Sequence, residues 1–424
     1  MTRYNSLILF TLLATSLRIQ AQTENTDTVK SKELDEVVVQ AQNQRTGASG
    51  TVYVPSGRQK NAAQNAIDLL RVMAIPQISI NPVDNAVTDN TGTGVSIFIN
   101  YLEASSEEMQ GLMTNDVRKV EYLENPTDPR FHGAPKGINI IVQQYAYGGY
   151  TKLSASESVL TGLNSSASVY SKFSYRRMTY DLYAGASNSD IRHGGSSTFA
   201  TYSLLDKAGQ SYTLQRDETM GSYKEKTGRY PVTLRATYNS DKVQIRNTVG
   251  FTHQSTPEGL QEGRLSYLPG NGKDYDSERS STSHSNSLSY SGSCFLSLPR
   301  SLSLDISPLF QYSHTNDAMT YNTTATEPIV RNARENSYYL RGDVNLTRKF
   351  GEKHSLLAGV SGSEWRNRLH YTGTDVYNDR FHHSFAAVTL GYNYSSQRLA
   401  LNLDGGVSWE KNKINDVSRD DAYP

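Results

Sequence analysis

The stretch Tyr230-Pro231-Val232-Thr233-Leu234-Arg235-Ala236-Thr237-Tyr238 carries Tyr, Val, Leu, Ala and Tyr at every second position, with Pro, Thr, Arg and Thr between them. Successive side chains of a β-strand point to opposite faces, so this period of two predicts a strand with one apolar and one polar face. The same alternation is found in residues 243–251, 302–310, 338–346, 388–394 and 399–409. The sequence therefore predicts that residues 146–424 form a long run of antiparallel strands.

The period alone fits a soluble β-sandwich as well as a membrane barrel, and two further features favour the barrel. Tyr is abundant, at 28 residues against 11 Phe and 2 Trp, and it clusters near strand ends, as in an interfacial aromatic girdle. The positions between the apolar ones carry charged or amide residues, as a polar lumen requires. These are Arg341, Asp343, Asn402, Asp404 and Glu410. We therefore predict a mainly β fold, a transmembrane antiparallel β-barrel.

The spacing of short turns predicts the number of strands. About 45 to 65 residues separate successive turns, which is room for two long strands and one long polar loop, the asymmetry of outer-membrane barrels. This gives about eleven strands. Residues 415–424 are polar and lack an alternating strand that ends in an aromatic residue, so we expect a truncated barrel. The predicted turns are Arg176-Arg177, Asn239-Ser240-Asp241, Pro299-Arg300, Phe350-Gly351-Glu352 and Ser395-Ser396-Gln397.

The N-terminus has the form of a secretory signal peptide. Arg3 precedes an apolar run over residues 7–14, and Ile19-Gln20-Ala21 resembles a cleavage site. The run is too short for a membrane anchor, which needs about 20 apolar residues. We predict a signal peptide over residues 1–21, cleaved after Ala21, and a flexible leader over residues 22–33.

Residues 34–145 are predicted to form a small α+β domain. Apolar residues at helical spacing predict a helix over residues 61–73, stopped by Pro76. Ser105 and Glu108 have the spacing of a capping box that opens a second helix, which we expect to include Met113. Strands are predicted at residues 95–99, 118–123 and 138–142.

This order of segments resembles the TonB-dependent outer-membrane receptors, particularly those of the Bacteroidetes type. Two positions depart from the family pattern, because Gln77 stands where Gly usually follows the Pro and Tyr101 stands where an Asn-Gly turn is expected. The plug is therefore divergent. The segments that carry the resemblance are residues 34–39, Asp68-Leu69-Leu70 with Ile75-Pro76, and residues 95–100, 117–126 and 137–142.

The resemblance implies an outer-membrane receptor in contact with lipid, whose plug is residues 34–145 and whose barrel is residues 146–424. It also implies that the eleven predicted strands are about half of the family's 22-stranded plugged barrel. Asp35, Glu36, Val37, Val38 and Val39 resemble the TonB box, which in the family adds as a strand to the TonB energy-transducing protein. The alternative is that these residues are simply the first strand of the plug.

The resemblance implies energised uptake of a nutrient such as a chelated metal, an oligosaccharide or a peptide. Tyr275, Arg279 and Trp365 are candidate ligand contacts in the predicted loops. The rival hypotheses are a passive adhesin or structural barrel that keeps a plug-like domain, and a nonfunctional receptor fragment.

Composition and motifs argue against other functions. The 42 Lys and Arg balance 42 Asp and Glu, so the basic footprint of a nucleic-acid-binding protein is missing. No hydrolase or metalloprotease motif appears, and we predict no enzyme, no cofactor and no metal site. We expect His382-His383 in a loop, Thr91-Gly92-Thr93-Gly94 to be a turn, and the sole cysteine, Cys294, to face lipid.

Overall fold

The computed structural model describes most of the chain after residue 43. Residues 1–43, which include the predicted signal peptide, the leader and Asp35 to Val39, lie outside the described residues. The described residues are 44–47, 50–82, 85–124, 126, 129–131, 134–159, 162–192, 194–269, 274–324, 326–351, 353–395, 400–415 and 417–423.

Residues 44–142 form an α+β unit, called here the N-terminal unit. Its main sheet has six strands in the order β1-β2-β7-β8-β5-β6, in which only β5 and β8 pair in parallel, and β3 pairs with β4 separately. The strands are β1 (Gln44–Gly47), β2 (Gly50–Tyr53), β3 (Ile78–Ile80), β4 (Val87–Asp89), β5 (Ser96–Ile99), β6 (Leu102–Glu103), β7 (Val117–Glu124) and β8 (Lys136–Val142). The helices are α1 (Gly57–Ala62), α2 (Ala66–Met73) and α3 (Ser106–Gly111).

The prediction of one helix over residues 61–73 is wrong, because the segment contains two. Ala63 is extended, with φ −102° and ψ 136°, which ends α1. Asn65 then caps α2, its side chain accepting a hydrogen bond from the Asp68 amide at 2.9 Å. Ala74 ends α2 in the left-handed region at φ 49°, two residues before Pro76. The apolar spacing correctly predicted α2, but the spacing of apolar residues does not reveal that Asn65, inside the predicted segment, begins a new helix.

The predicted capping box at the start of α3 is confirmed. The Glu108 amide donates to Ser105 Oγ at 3.3 Å, and the Ser105 amide donates to Glu108 Oε2 at 3.1 Å. The helix is shorter than predicted, since Leu112 has ψ 130° and Met113 lies outside it. One core joins α2 and α3 to the sheet. Its fully buried side chains include Leu69, Leu70, Val117, Val120, Ile138 and Ile140.

The predicted turn at residues 91–94 is confirmed, and Asp89 organises it. The buried Asp89 carboxylate accepts from the Thr91 amide at 2.8 Å, from Thr91 Oγ1 at 2.7 Å and from the Thr93 amide at 2.8 Å. It also pairs with the ammonium group of Lys136 on β8. Lys136 and Thr91 hold the pKa of Asp89 well below its usual range, because their donors favour the charged carboxylate.

A second, much larger antiparallel sheet follows, and it confirms the prediction of a mainly β fold. It has 13 strands among the described residues, more than the eleven predicted. The strands are β9 (Tyr147–Ser158), β10 (Gly162–Tyr175), β11 (Met178–Ile191), β12 (Ser196–Leu205), β13 (Ser211–Asn239), β14 (Val243–Leu268), β15 (Tyr275–Leu298), β16 (Leu302–Thr323), β17 (Thr326–Phe350), β18 (His354–Gly373), β19 (Tyr377–Ser395), β20 (Ala400–Ile414) and β21 (Val417–Tyr423).

The two additional strands lie where loop or tail was expected. β12 pairs with the first part of β13, whereas β11 pairs with the second part, so one very long strand serves two neighbours. β21 pairs with β20 in the polar tail that was expected to contain no strand. Polar residues do not prevent pairing, because the ladder is made by backbone groups.

The predicted turns at residues 176–177, 239–241, 299–300 and 350–352 are confirmed as the places where strands reverse, and the fifth lies partly outside the described residues. The end of the sheet that carries the turns after β13, β15 and β17 is called here the turn end. The long polar loops expected at the opposite end are largely strand instead. The serine-rich residues 277–287, for example, belong to β15.

The register assigns one apolar and one polar face. Leu234, Val249, Tyr290, Phe310 and Leu340 lie side by side across β13 to β17. Toward the turn end the same face continues in a row of four valines that are 42 to 64% exposed, namely Val344, Val360, Val388 and Val407. These residues define the apolar belt. Such a belt is far larger than the apolar patches of soluble monomers and has the pattern of a lipid-facing barrel wall. Among the described residues, no helix is long and apolar enough to span a bilayer.

The Asp89 cluster generates a prediction about acid stability. Because the pKa of Asp89 is lower in the folded chain than in the unfolded chain, the carboxylate stabilises the folded unit fully at pH values above the unfolded pKa of about 3.9. This stabilisation is lost as the pH falls from the unfolded pKa through the lower folded pKa. Hydrogen exchange of amides 87–95 should therefore be well protected at pH 7 and progressively less protected below about pH 4. The variant Asp89→Asn should lose protection at pH 7 already.

The matched control is Asp68→Asn, since Asp68 pairs with Arg71 at 2.7 Å on an exposed surface. This control should leave the protection of residues 87–95 unchanged. Unaltered protection in Asp89→Asn at pH 7 would contradict the assignment.

Candidate functional site: the contact between the N-terminal unit and the large sheet

The polar face of the large sheet contacts the N-terminal unit through a buried ion cluster. Glu108 of α3 is 7% exposed, and its Oε1 lies 2.7 Å from Arg235 Nη1 and 3.3 Å from Arg246 Nη2. Arg235 also donates to Ser105 Oγ at 3.0 Å, and Arg246 donates to the Glu103 carbonyl. Two arginines on neighbouring strands thus hold the start of one short helix.

Glu108 has two roles at once, because its two oxygens have different partners. Oε2 completes the capping box of α3, while Oε1 receives both guanidinium groups. Asp181 of β11 lies directly opposite Arg235 in the register and is also buried. Glu108 is thus the carboxylate that pairs with both arginines, while the Asp181 carboxylate accepts a hydrogen bond from Tyr170.

The C-terminal end of α3 is held by β9 and β10. Gly111 lies flat against the ring of Tyr170, so close that a Cβ at position 111 would be 2.4 Å from two ring carbons. Tyr170 is itself buried and donates to Asp181 Oδ1 at 2.8 Å. Lys152 donates to the carbonyls of Gln64 and Gln110 at 2.8 and 2.6 Å. The sheet therefore contacts the helix at both ends.

A second contact is made at the β5–β6 hairpin. Asn100 and Tyr101 have φ values of 50° and 69°, as a two-residue type I′ turn requires. Tyr101 replaces the glycine that suits this conformation, and the Arg130 guanidinium lies 3.6 Å above its ring. Arg130 also lies 5.7 Å from the ring of Phe295 on β15. Tyr101 at this turn is thus accommodated by a stacking contact shared with the large sheet.

A polar cleft of about 910 Å³ separates the remaining inner face from the N-terminal unit. One side is formed by residues 102–105 together with Pro126, Ala134 and Pro135. Arg341 and Asp343 form an ion pair on the opposite wall, with Nε to Oδ2 at 2.8 Å. The wall of this cleft includes Asp305, Arg341, Asp343, Asn345, Asn402 and Asp404. Four of the five residues predicted to line a polar lumen line this cleft, namely Arg341, Asp343, Asn402 and Asp404.

The structure revises several predicted site residues. Tyr275 and Arg279 lie in β15, and Trp365 lies in β18. None of the three is therefore in a loop, and Trp365 lies on a different strand from the other two. Arg279 stacks on Tyr321 with 5.7 Å between guanidinium carbon and ring centre, and Trp365 packs against Phe381 at 4.8 Å between ring centres.

The loop position predicted for His382 and His383 is wrong, because both lie within β19. Their opposite orientation is as expected: His382 Nε2 is 3.2 Å from Glu364 Oε1, and His383 Nδ1 is 2.8 Å from Asn412 Oδ1. Cys294 lies opposite Ile245 and Ile306 on the belt face, as predicted. Within the described part of the chain, no group of three or more His, Cys, Asp or Glu side chains could hold a metal ion.

Sequence reasoning missed the ion cluster. Glu108 was identified only as a capping residue, and Arg235 only as one more polar position in an alternating strand. A cation between two threonines at 233 and 237 has no sequence signature that separates a lumen surface from a buried contact. The pairing depends on which strand lies opposite α3, and that is a property of the tertiary structure.

No family model matches this sequence, and no curated protein matches it. Solved structures do resemble the chain. The ferric yersiniabactin uptake receptor FyuA from Yersinia pestis is 12% identical over 86% of this chain and 72% of its own, with a TM-score of 0.33. The copper transporter OprC is 10% identical over 89% of this chain and 74% of its own, with a TM-score of 0.32. The ferric-catecholate import receptor Fiu from E. coli K12 is 10% identical over 90% of this chain and 81% of its own, with a TM-score of 0.31. Superpositions at these TM-scores are too loose to carry a functional conclusion.

The ion cluster predicts a large effect for Glu108→Gln. The substitution removes the carboxylate that pairs with both Arg235 and Arg246, and breaking a buried pair costs about 3 to 5 kcal/mol. Hydrogen exchange of the α3 amides should accelerate by two orders of magnitude or more, since about 1.4 kcal/mol corresponds to a factor of ten. Glu107→Gln, one residue earlier on the same helix, is the control and should change exchange little.

The flat contact at Gly111 predicts that even one methyl group is harmful there. Gly111→Ala should destabilise the contact by about 1 to 3 kcal/mol through overpacking against Tyr170. Gly57→Ala in α1 is the matched control, because a Cβ at position 57 meets open space. Thermal unfolding of the purified chain should show a lower midpoint only for Gly111→Ala, and the double variant with Tyr170→Ala should lose the penalty specific to position 111.

Proposed function

We propose that this chain belongs to a TonB-dependent outer-membrane receptor that takes up a hydrophilic nutrient. The observation that carries the proposal is a two-faced sheet whose polar side holds a separate α+β unit while its other side is an exposed apolar belt. In this proposal residues 1–21 are a signal peptide, residues 22–33 a leader, residues 34–145 the TonB box and plug, and residues 146–424 barrel wall in the outer membrane.

The chemistry of the contact supports a plug that can be displaced. The unit is held mainly by ion pairs and hydrogen bonds, namely those of Glu108, Arg235, Arg246 and Lys152. Water can replace such partners when the unit moves, so each hydrogen bond contributes only about 0.5 to 1.5 kcal/mol net. A large apolar interface would instead have to expose its apolar surface to water, which costs free energy in proportion to the area exposed.

The residues that line the cleft support the proposal that the transported solute is polar. Its wall carries both signs of charge together with amide groups, including Arg341, Asp343, Asn345 and Asp404. Chelated metals, oligosaccharides and peptides all present groups that such a lining can hydrogen-bond. The Bacteroidetes type of receptor is supported by the sequence resemblance of the plug segments, and the partner in this proposal is TonB.

Energy coupling is tested at the predicted TonB box. Val37→Pro removes a backbone donor that strand addition needs, so binding of the periplasmic domain of TonB to the full chain in detergent should fall at least tenfold. Thr28→Pro in the leader is the control and should bind as the unchanged protein does. Equal binding by Val37→Pro would reject strand addition at residues 35–39 and favour a passive barrel.

A further inference from the structure

Arginines crowd one part of the outer face of the large sheet. Arg235 marks the inner face, because it bonds the N-terminal unit, and its row continues through Thr248, Ser291 and Leu309 to Arg341. On β17 the odd-numbered residues are therefore inner and the even-numbered ones outer. No register shift interrupts the described pairings of β17 with β18 or of β18 with β19.

Beyond the valine row of the belt, away from the turn end, the outer positions become cationic. Arg334 lies on β17, Arg366 and Arg368 on β18, and Arg380 on β19, and all four are exposed. These four residues are called here the arginine patch. Two histidines, His370 and His382, share the same face within the patch.

The register places two like charges side by side in this patch, because Arg368 lies directly opposite Arg380. Like charges directly opposite each other on one face destabilise a sheet. Arg366 pairs with Glu364, but among the described residues neither Arg368 nor Arg380 forms an ion pair. The patch therefore has an excess of positive charge that the described chain does not compensate.

The outer positions of β14 and β15 at the same level are neutral. His253 pairs with Asn286 at 2.8 Å, and Ser255 pairs with His284 at 2.9 Å. In the other direction the cationic positions continue on β20, where Lys411 and Lys413 lie opposite Ser384 and His382 on the outer face. At the turn end the outer Arg348 lies 4.9 Å from the ring of Phe350 and opposite Leu356. Arg368 and Arg380 therefore lie at one edge of the belt only.

We propose that the arginine patch binds the phosphate groups of anionic lipid headgroups, an inference that rests on the proposed membrane location. A polar strip that borders a lipid-facing belt lies at the level of the headgroups. Guanidinium groups match phosphate oxygens in a bidentate geometry, and an anion between Arg368 and Arg380 removes their mutual repulsion. Each basic residue near such a surface contributes roughly a fivefold gain in binding.

The test uses the full chain in nonionic detergent and native mass spectrometry to count bound lipids. The probes are dioleoylphosphatidic acid, dioleoylglycerol with the same acyl chains, and inorganic phosphate alone. The unchanged protein should prefer the phosphorylated lipid, and the double variant Arg368→Ala, Arg380→Ala should bind it roughly 25-fold more weakly. Arg348→Ala is the matched control, an exposed outer arginine on β17 at the turn end, and should bind normally.

Equal binding of the two lipids, or an equal loss in Arg348→Ala, would overturn the proposal. Full competition by inorganic phosphate at the lipid's concentration would also overturn it, since that outcome identifies an ion site without lipid. Heat-modifiable gel mobility of every variant serves as the folding check. A heat-modifiable chain without phosphate preference rejects only this inference, whereas a chain that never becomes heat-modifiable rejects the membrane location itself.

Discussion

The alternation of faces across the cross-strand register is the constraint on which the rest of this structure depends. Once Arg235 is fixed against the N-terminal unit, the cross-strand pairs place Arg341 inside and Leu340 outside, four strands away. A shift of one residue along this row would exchange the polar and apolar faces for every strand beyond. The same constraint places the buried ion cluster and the outer apolar belt on opposite sides of one layer.

Within that layer, the contact to the N-terminal unit is polar because both surfaces are polar for independent reasons. The wall must be hydrophilic if water fills the space beside it, and α3 begins with a capping box that already needs a side-chain oxygen acceptor at position 108. Glu108 meets both requirements with its two oxygens. A capping residue has thereby become the centre of the interface.

Sequence reasoning could predict the parts of this structure that depend on local pattern. Alternation predicted the strands, the capping box predicted the start of α3, and the turns were placed correctly where the apolar pattern stops. It failed where backbone pairing continues without a pattern, as in β12, β21 and the serine-rich half of β15. It also divided the residues 61–73 incorrectly, because Asn65 caps a helix inside an apolar repeat. The partners of Glu108 could not be found, since they depend on which distant strand faces the helix.

The flat contact between Gly111 and Tyr170 has a mechanical consequence. A helix without a side chain at this point has no knob seated in a hole of the opposite wall, so α3 can leave the ring without any rotamer change. Resistance to separation then resides in the polar contacts on either side of this point, the ion pairs of Glu108 at the start of α3 and the hydrogen bonds from Lys152 at its end. A joint of this kind opens by exchanging its partners for water, and it has no interlocked side chain that must first be withdrawn.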